Sequence, residues 1–241
     1  MGNGIYSAVA GSTARMKELE VLSNNLAHAN TTGFKADDVR FEEVMSKKHS
    51  QARFVEAKET VPRLSQGSLR KTDNPMDVAL MGKGFLVVDT PRGSRLTRAG
   101  RFVVAADNVL RTVSGHTVRG TNGKPIQIPP MSERTDKGPI VIDEVGQLTS
   151  GSEILGQLLR VSTEGTKVDK EGEDLFRCEK PIDDLEPASK SRIMQGHLEQ
   201  SNVNPVTLMT ELVEVQRHFE ALQQVVKTYR TIDGQVARRV L

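Results

Sequence analysis

The stretch NPVTLMTELVEVQRHFEALQQVVKTYRTIDGQVARRVL, Asn204 to Leu241, decides how this chain is built. Leu208, Leu212, Val215, Phe219, Leu222, Val226, Tyr229, Val236 and Val240 recur at alternating four- and three-residue steps, interrupted only by Asp233. That spacing lines up one face of an α-helix. Asn204 supplies an N-cap, and Pro205 suits a first helical position because the N–H it lacks would have no partner there. A helix from Pro205 to about Arg239 is roughly 50 Å long at ~1.5 Å per residue. One apolar seam offsets little more than the entropy of ordering such a helix, so it needs a partner along its length. Ala221, Val225 and Ile232 widen the apolar face beyond a two-stranded stripe. The wider face predicts contact with more than one neighbouring helix; a two-helix hairpin within one chain is the other reading.

The opening of the chain carries a matching pattern. Ile5, Val9, Met16, Leu19, Leu22 and Leu26, with Ser12 and Ser23 in the remaining seam positions, predict an amphipathic helix from about Gly4 to His28. Asn3 is placed to cap it, and Asn30 to Gly33 provide residues that tolerate the left-handed conformation at its end. Between the two helices the language changes to short apolar runs separated by turn residues. Phe85-Leu-Val-Val follows Gly82-Lys-Gly84, and Phe102-Val-Val and Val109-Leu-Arg flank a tight turn at Asp107-Asn108. Pro125 to Pro129 and Gly138 to Asp143 add further strands, and Leu110 to Gly120 and Leu148 to Gly156 read as two similar hairpins. Residues 36–81 carry charges such as Lys47, Lys48, Glu56 and Lys58 with no sustained period, and read as an extended connector. The expected organisation is an N-terminal helix in 1–35, that connector, a β-rich domain in 82–190 and a C-terminal helix in 191–241. The expected fold is α+β: terminal amphipathic helices packed as a coiled-coil-like pair around a sandwich-like or barrel-like all-β middle domain.

Composition narrows the function. Lys plus Arg (33) nearly balance Asp plus Glu (31), and a net charge of +2 is too weak for a dedicated nucleic-acid binder. The lone Cys178 gives neither a disulfide framework nor a thiolate zinc site. No apolar run approaches the ~20 residues that span a bilayer, and no secretory leader pattern opens the sequence, so no direct membrane insertion is expected. Of the possible catalytic bases His28, His49, His116, His197 and His218, none sits in a nucleophile elbow. His197 and Glu199, like His218 and Glu220, are two apart, which does not place a pair on one helical face. Gly82-Lys-Gly84 and Gly120-Thr-Asn-Gly123-Lys124 lack the remaining residues of a phosphate loop and read as turns. The expectation is a non-enzymatic protein with no catalytic, cofactor-binding or metal-binding residues.

The segment SNNLAHANTTGFK, Ser23 to Lys35, closely resembles the amino-terminal signature of the flagellar rod and hook family. TDNPMDVALMGKGFLVVD (72–89), LTRAGRF (96–102) and HLEQSNVNPVTLMTEL (197–212), followed by QRHFE (216–220), agree with that family in order. The resemblance implies a structural subunit of the bacterial flagellar basal-body rod. Such a subunit leaves through the flagellum's own export apparatus without a cleaved leader and assembles in the periplasm. Its terminal helices pack on each other and on those of neighbouring subunits, and it passes torque from motor to hook. Implied partners are further copies of the chain and other rod subunits, proximal and distal. Length, Phe219, Leu222 and the ending Thr231-Ile-Asp-Gly-Gln resemble proximal rather than distal rod subunits. A distal subunit or a non-flagellar coiled-coil adaptor is the alternative. The seam positions Ile5, Val9, Met16, Leu19, Leu26, Leu212, Val215, Phe219, Leu222 and Val226 are the expected subunit-interface residues, together with Asn30. Asn24, Asn25 and Asn30 fit either contacts between subunits or helix-end residues that satisfy backbone groups.

Overall fold

The Asn204–Pro205 start signal works as read. In the computed structural model Asn204 Oδ1 accepts from the N–H groups of Val206 (3.1 Å) and Thr207 (3.4 Å), and helix α2 runs Pro205–Arg239. At the other end of the chain α1 spans Gly2–Ala27, so Asn3 lies inside the helix instead of capping it. The structure describes residues 2–45, 53–132, 134, 138–172 and 174–239. Lys47, Lys48, His49 and Val240 lie outside them, as do the side chains of Asp233 and Val236.

The chain divides into two compact units, and it passes between them four times. The helical unit takes 1–29, 37–63 and 203–241; the β unit takes 30–36 and 64–202. In the helical unit, the stretch expected as a connector contains an antiparallel hairpin of β1 (Asp37–Met45) and β2 (Arg53–Pro62), with a bulge between Arg40 and Phe41. Charges that hid any apolar period pair across it, Lys58 with Glu42 (2.7 Å) and Arg63 with Asp38. Helix α1 packs against both α2 and β2.

In the β unit, β3 (Leu69–Lys71) and β4 (Val78–Met81) lead into β5 (Phe85–Thr90), β6 (Gly93–Thr97), β7 (Phe102–Val104), β8 (Leu110–Thr112) and β9 (Thr117–Val118). Then come β10 (Ile140–Ile142), β11 (Gln147–Ser150), β12 (Glu153–Gln157), β13 (Arg160–Val161), β14 (Val168–Lys170) and β15 (Leu175–Cys178). The last strands are β16 (Arg192–Gln195) and β17 (His197–Glu199). The main sheet has the order β14-β15-β6-β5-β9-β8-β7, with β13 also on β5. Strands β10-β11-β12 form a second sheet, and the pairs β16-β4 and β17-β3 are separate ladders. The run FLVV is apolar without alternation because β5 is covered on both faces. Leu86 and Val88 join a core with Phe102, Leu110 and Leu148, while Phe85 and Val87 join one with Leu96 and Phe176. Asn108 takes a positive φ of 60° in the β7–β8 hairpin, and the two similar hairpins are β8–β9 and β11–β12.

Two expectations need correction. The main sheet is open, not barrel-like: β14 and β7 are ends of the strand order and do not pair. Beside β6, β5 divides its remaining hydrogen bonds between β9 and β13 instead of passing one ladder onward. The terminal helices pair, but not as a coiled coil. Small residues of α1 come close to α2: a Cβ on Gly4 would stand 2.6 Å from Tyr229 Oη, and one on Gly11 3.5 Å from Leu222 Cδ1. Val9 and Met16, which a coiled coil would use as knobs, are 44% and 48% exposed.

Candidate functional site

Two features stand out from the fold: a buried charge cluster in the β unit and under-covered apolar faces in the helical unit. The cluster begins at Gly33, whose φ of +72° and whose close approach to Ala99, 2.4 Å from a would-be Cβ to the backbone nitrogen, exclude a side chain. The turn inserts the next two residues. Phe34 is fully buried with Lys170 Nζ 3.4 Å from its ring centroid, and Lys170 also donates to Lys35 O (2.9 Å). Lys35 Nζ donates to Glu199 Oε1 at 2.6 Å and to Ser65 O at 2.7 Å. Arg98 Nη1 donates to Glu199 Oε2 (3.1 Å) and Leu80 O (3.1 Å), and its Nη2 donates to Gly82 O (2.7 Å). The N–H of Gly67 completes the shell of Glu199 Oε1 (2.9 Å).

Two cations thus share one carboxylate, and the three side chains are no more than 3% exposed. Burial pulls both Lys35 and Arg98 below their ordinary values, against the charge of Glu199 and its hydrogen bonds. Among the described residues Arg98 Nε has no hydrogen-bond partner, and the guanidinium carbon lies 5.3 Å from the Phe85 ring centroid. A site so closed to solvent holds segments of chain together. Ala36 N donates to Asn202 Oδ1 (2.7 Å) and Asn202 Nδ2 to Ser65 O (3.1 Å), so the residues at which the chain enters and leaves the β unit are bonded to one another.

In the helical unit, α1 turns Gly4, Gly11 and Ser12 toward α2, where Gln223 Nε2 donates to Ser12 Oγ (2.7 Å). Its other side faces the hairpin across an apolar cavity of about 560 Å³. Asn25 is 3% exposed; its Nδ2 donates to Asp37 O (2.8 Å), and the Asp37 N–H donates to Asn25 Oδ1 (2.9 Å). The helix-end reading therefore holds for Asn25; Asn24 and Asn30 are exposed.

The expected interface residues fall into three groups. Val215 and Val226 are buried. Ile5, Leu19, Leu26, Leu212, Phe219 and Leu222 are half-buried, while Val9, Met16 and Asn30 are exposed. Leu222 is engaged by α1 within the chain, and Asn30 belongs to the β unit. Sequence reasoning missed Lys35, Arg98 and Glu199. The available signal was that each of three quoted signature stretches, 23–35, 96–102 and 197–212, contributes one member, and the fourth, 72–89, supplies the carbonyls of Leu80 and Gly82. Among the described residues no three His, Cys, Asp or Glu side chains form a metal cluster, and no helix is long and apolar enough to cross a membrane.

Three family profiles match the chain: the flagella basal body rod protein over residues 5–35, the flagellar hook protein FlgE/F/G D1 domain over 79–150, and the flagellar basal body rod FlgEFG protein C-terminal region over 194–239. The chain is 34% identical to the flagellar basal-body rod protein FlgF of Mesorhizobium japonicum, over 91% of this chain and 90% of that protein. It is 31% identical to FlgF of Caulobacter vibrioides, over 100% and 98% of the two chains. Identity to the rod protein FlgG of Bacillus subtilis is 28%, over 95% of each.

Proposed function

The chain belongs to the flagellar basal-body rod protein family, and from that premise we propose that it is a structural, non-enzymatic subunit of the rod, at the proximal position. Its helical unit joins it to copies of itself and to other rod subunits. It reaches the periplasm through the flagellar export apparatus, and the assembled rod carries torque from motor to hook.

The observation that carries this reading is the uneven burial of the helical unit. Tyr6, Val55, Val206 and Met209 are 48–75% exposed on elements that otherwise bury only small or moderate apolar side chains. Apolar surface of that extent on paired helices marks a surface made to be covered by protein. Covering it on assembly offsets the ordering cost of helices that are marginal alone.

The test is deletion of the gene in its own organism, with isolation of basal bodies. The expected outcome is loss of motility and of a completed rod, both restored by the full chain, with the chain found in purified basal bodies of complemented cells. A motile deletion strain with intact rods overturns the proposal.

A further inference from the structure

Two stretches of exposed apolar surface in the helical unit lie on opposite sides of the helix pair. The first is the groove between α1 and the β1–β2 hairpin, lined by Tyr6, Val9 and Lys17 of α1 and by Val44, Val55 and Glu56 of the hairpin. The second is a stripe on α2. Val206, Met209 and Val213 are 75%, 53% and 49% exposed, and Val213 lies about 140° round the helix from Leu208, in the buried row, at ~100° per residue. On α1 the groove residue Val9 lies two residues, about 200°, from Gly11, which faces α2.

Resting on the rod reading, we infer that the α2 stripe of one copy seats in the α1–hairpin groove of a second copy. The two helices run in the same direction, with Val9 beside Val206, Thr13 beside Thr210 and Lys17 beside Glu214. The register follows from charge and spacing. Lys17 closes the groove eight residues after Val9, and Glu214 stands eight residues after Val206 on the flank of the stripe. Glu56, the anionic member of the groove, then meets Arg217, the cation one turn beyond Val213. Lys17 is 49% exposed in a 3.0 Å pair with Glu20, a solvent-exposed pair that is readily exchanged.

Because groove and stripe are different surfaces on opposite sides of one unit, the contact cannot be a two-fold one in which each copy gives the other the same patch. It is heterologous, leaves a free groove at one end and a free stripe at the other, and propagates into a ring or a helix. Identical subunits build a rod by a contact of this kind.

The test uses the full chain carrying Cys178→Ser, which removes its only cysteine, with Val9→Cys and Val206→Cys added together or singly. Each version is expressed in cells that assemble basal bodies, mildly oxidised, and run on a non-reducing gel. The expected result is a ladder of dimers, trimers and higher species of this chain alone, lost in either single-cysteine version. With the chain present in basal bodies, a pattern of monomers only, dimers only, or adducts with a different polypeptide overturns the contact and leaves the rod reading standing. Absence of the Cys178→Ser parent from basal bodies overturns the rod reading, and the contact with it. If the parent enters basal bodies but the double-cysteine version does not, charge exchange decides. Lys17→Glu and Glu214→Lys each lower incorporation several-fold and together restore it; failure of the pair to restore it overturns the register.

Discussion

The two units spend their apolar residues differently. In the β unit Val78, Val87, Val88, Leu96, Leu110, Leu148 and Phe176 are completely withdrawn from solvent, and Lys35 and Glu199 are withdrawn with them. In the helical unit the best-covered apolar side chains are Ala8, Ala14, Val21, Leu208, Val215 and Val226, at 4–9% exposure, while Tyr6 and Val206 stay open at 60% and 75%. A domain that buries a charge trio has closed its core without outside help. The helical unit leaves an aromatic ring and a row of aliphatic side chains in water, and this is the surface to which the rod proposal assigns contacts between subunits. The β unit exposes apolar residues too, Val113 and Ile154 at 66%, so the difference lies in the cores: those of the β unit reach full burial and that of the helical unit does not.

Glu199→Ala is expected to destabilise the β unit most. It strands the Lys35 ammonium and the Arg98 guanidinium side by side in a dry site and removes the acceptor for Gly67 N–H. Losing one partner of a buried ionic cluster costs about 3–5 kcal/mol. Denaturant unfolding followed in the β unit reads that loss, and an unchanged midpoint shows that the cluster does not hold the β unit together. Next comes Gly33→Ala. Backbone strain at φ +72° costs about 1–3 kcal/mol, and the added Cβ meets the Ala99 nitrogen at 2.4 Å. The expected outcome is a destabilised β unit with Phe34 and Lys35 displaced, seen as faster amide exchange at Phe34 and Ala36, whose N–H groups donate to Thr31 O and Asn202 Oδ1; protection equal to the parent refutes the close-approach argument.

Much of this was legible in the sequence and some was not, for physical reasons. Both terminal helices and the double-sided strand β5 were readable because each has one dominant periodicity and local stop signals, such as Asn204 with Pro205 and Gly82 with Gly84. The β1–β2 hairpin was hidden: its strands DDVRFEEVM and RFVEAKETVP satisfy themselves by cross-strand charge pairs and do not alternate cleanly between apolar and polar. The coiled-coil expectation went astray at Val9 and Met16. An apolar residue in a heptad pattern does not reveal which side of a helix is offered to a partner, and here Gly4 and Gly11 set the close approach. The Lys35–Arg98–Glu199 cluster joins residues 63 and 101 positions apart, a proximity that only the fold supplies.

A smaller effect sharpens the account of the cluster. Because burial holds the Lys35 ammonium below its ordinary value of 10.5, the unfolded chain binds that proton more readily than the folded one. Between the depressed value and 10.5 the unfolded state therefore carries more protons, and unfolding free energy rises with pH through that window. The expected outcome is that the parent gains stability relative to Lys35→Met as pH rises toward 10.5, with a constant difference below the window. Parallel curves across the whole range mean that Lys35 titrates alike in both states, and the burial argument fails.

The smallest expected effect is the internal control for the largest. Lys83 and Glu164 form a lysine–carboxylate pair of the same kind in the same unit, at 3.2 Å, but their side chains are 87% and 68% exposed. Water already solvates both groups, so the pair gains little Coulomb energy and gives up side-chain freedom to form; Lys83→Ala is expected to change stability by less than about 0.5 kcal/mol. Both pairs have the same chemistry, and they differ in burial and in the number of backbone groups each recruits. If Lys83→Ala unfolds the β unit as readily as Glu199→Ala, burial is not what makes the Lys35–Glu199 pair matter, and the distinction between a closed unit and an open one loses its energetic basis.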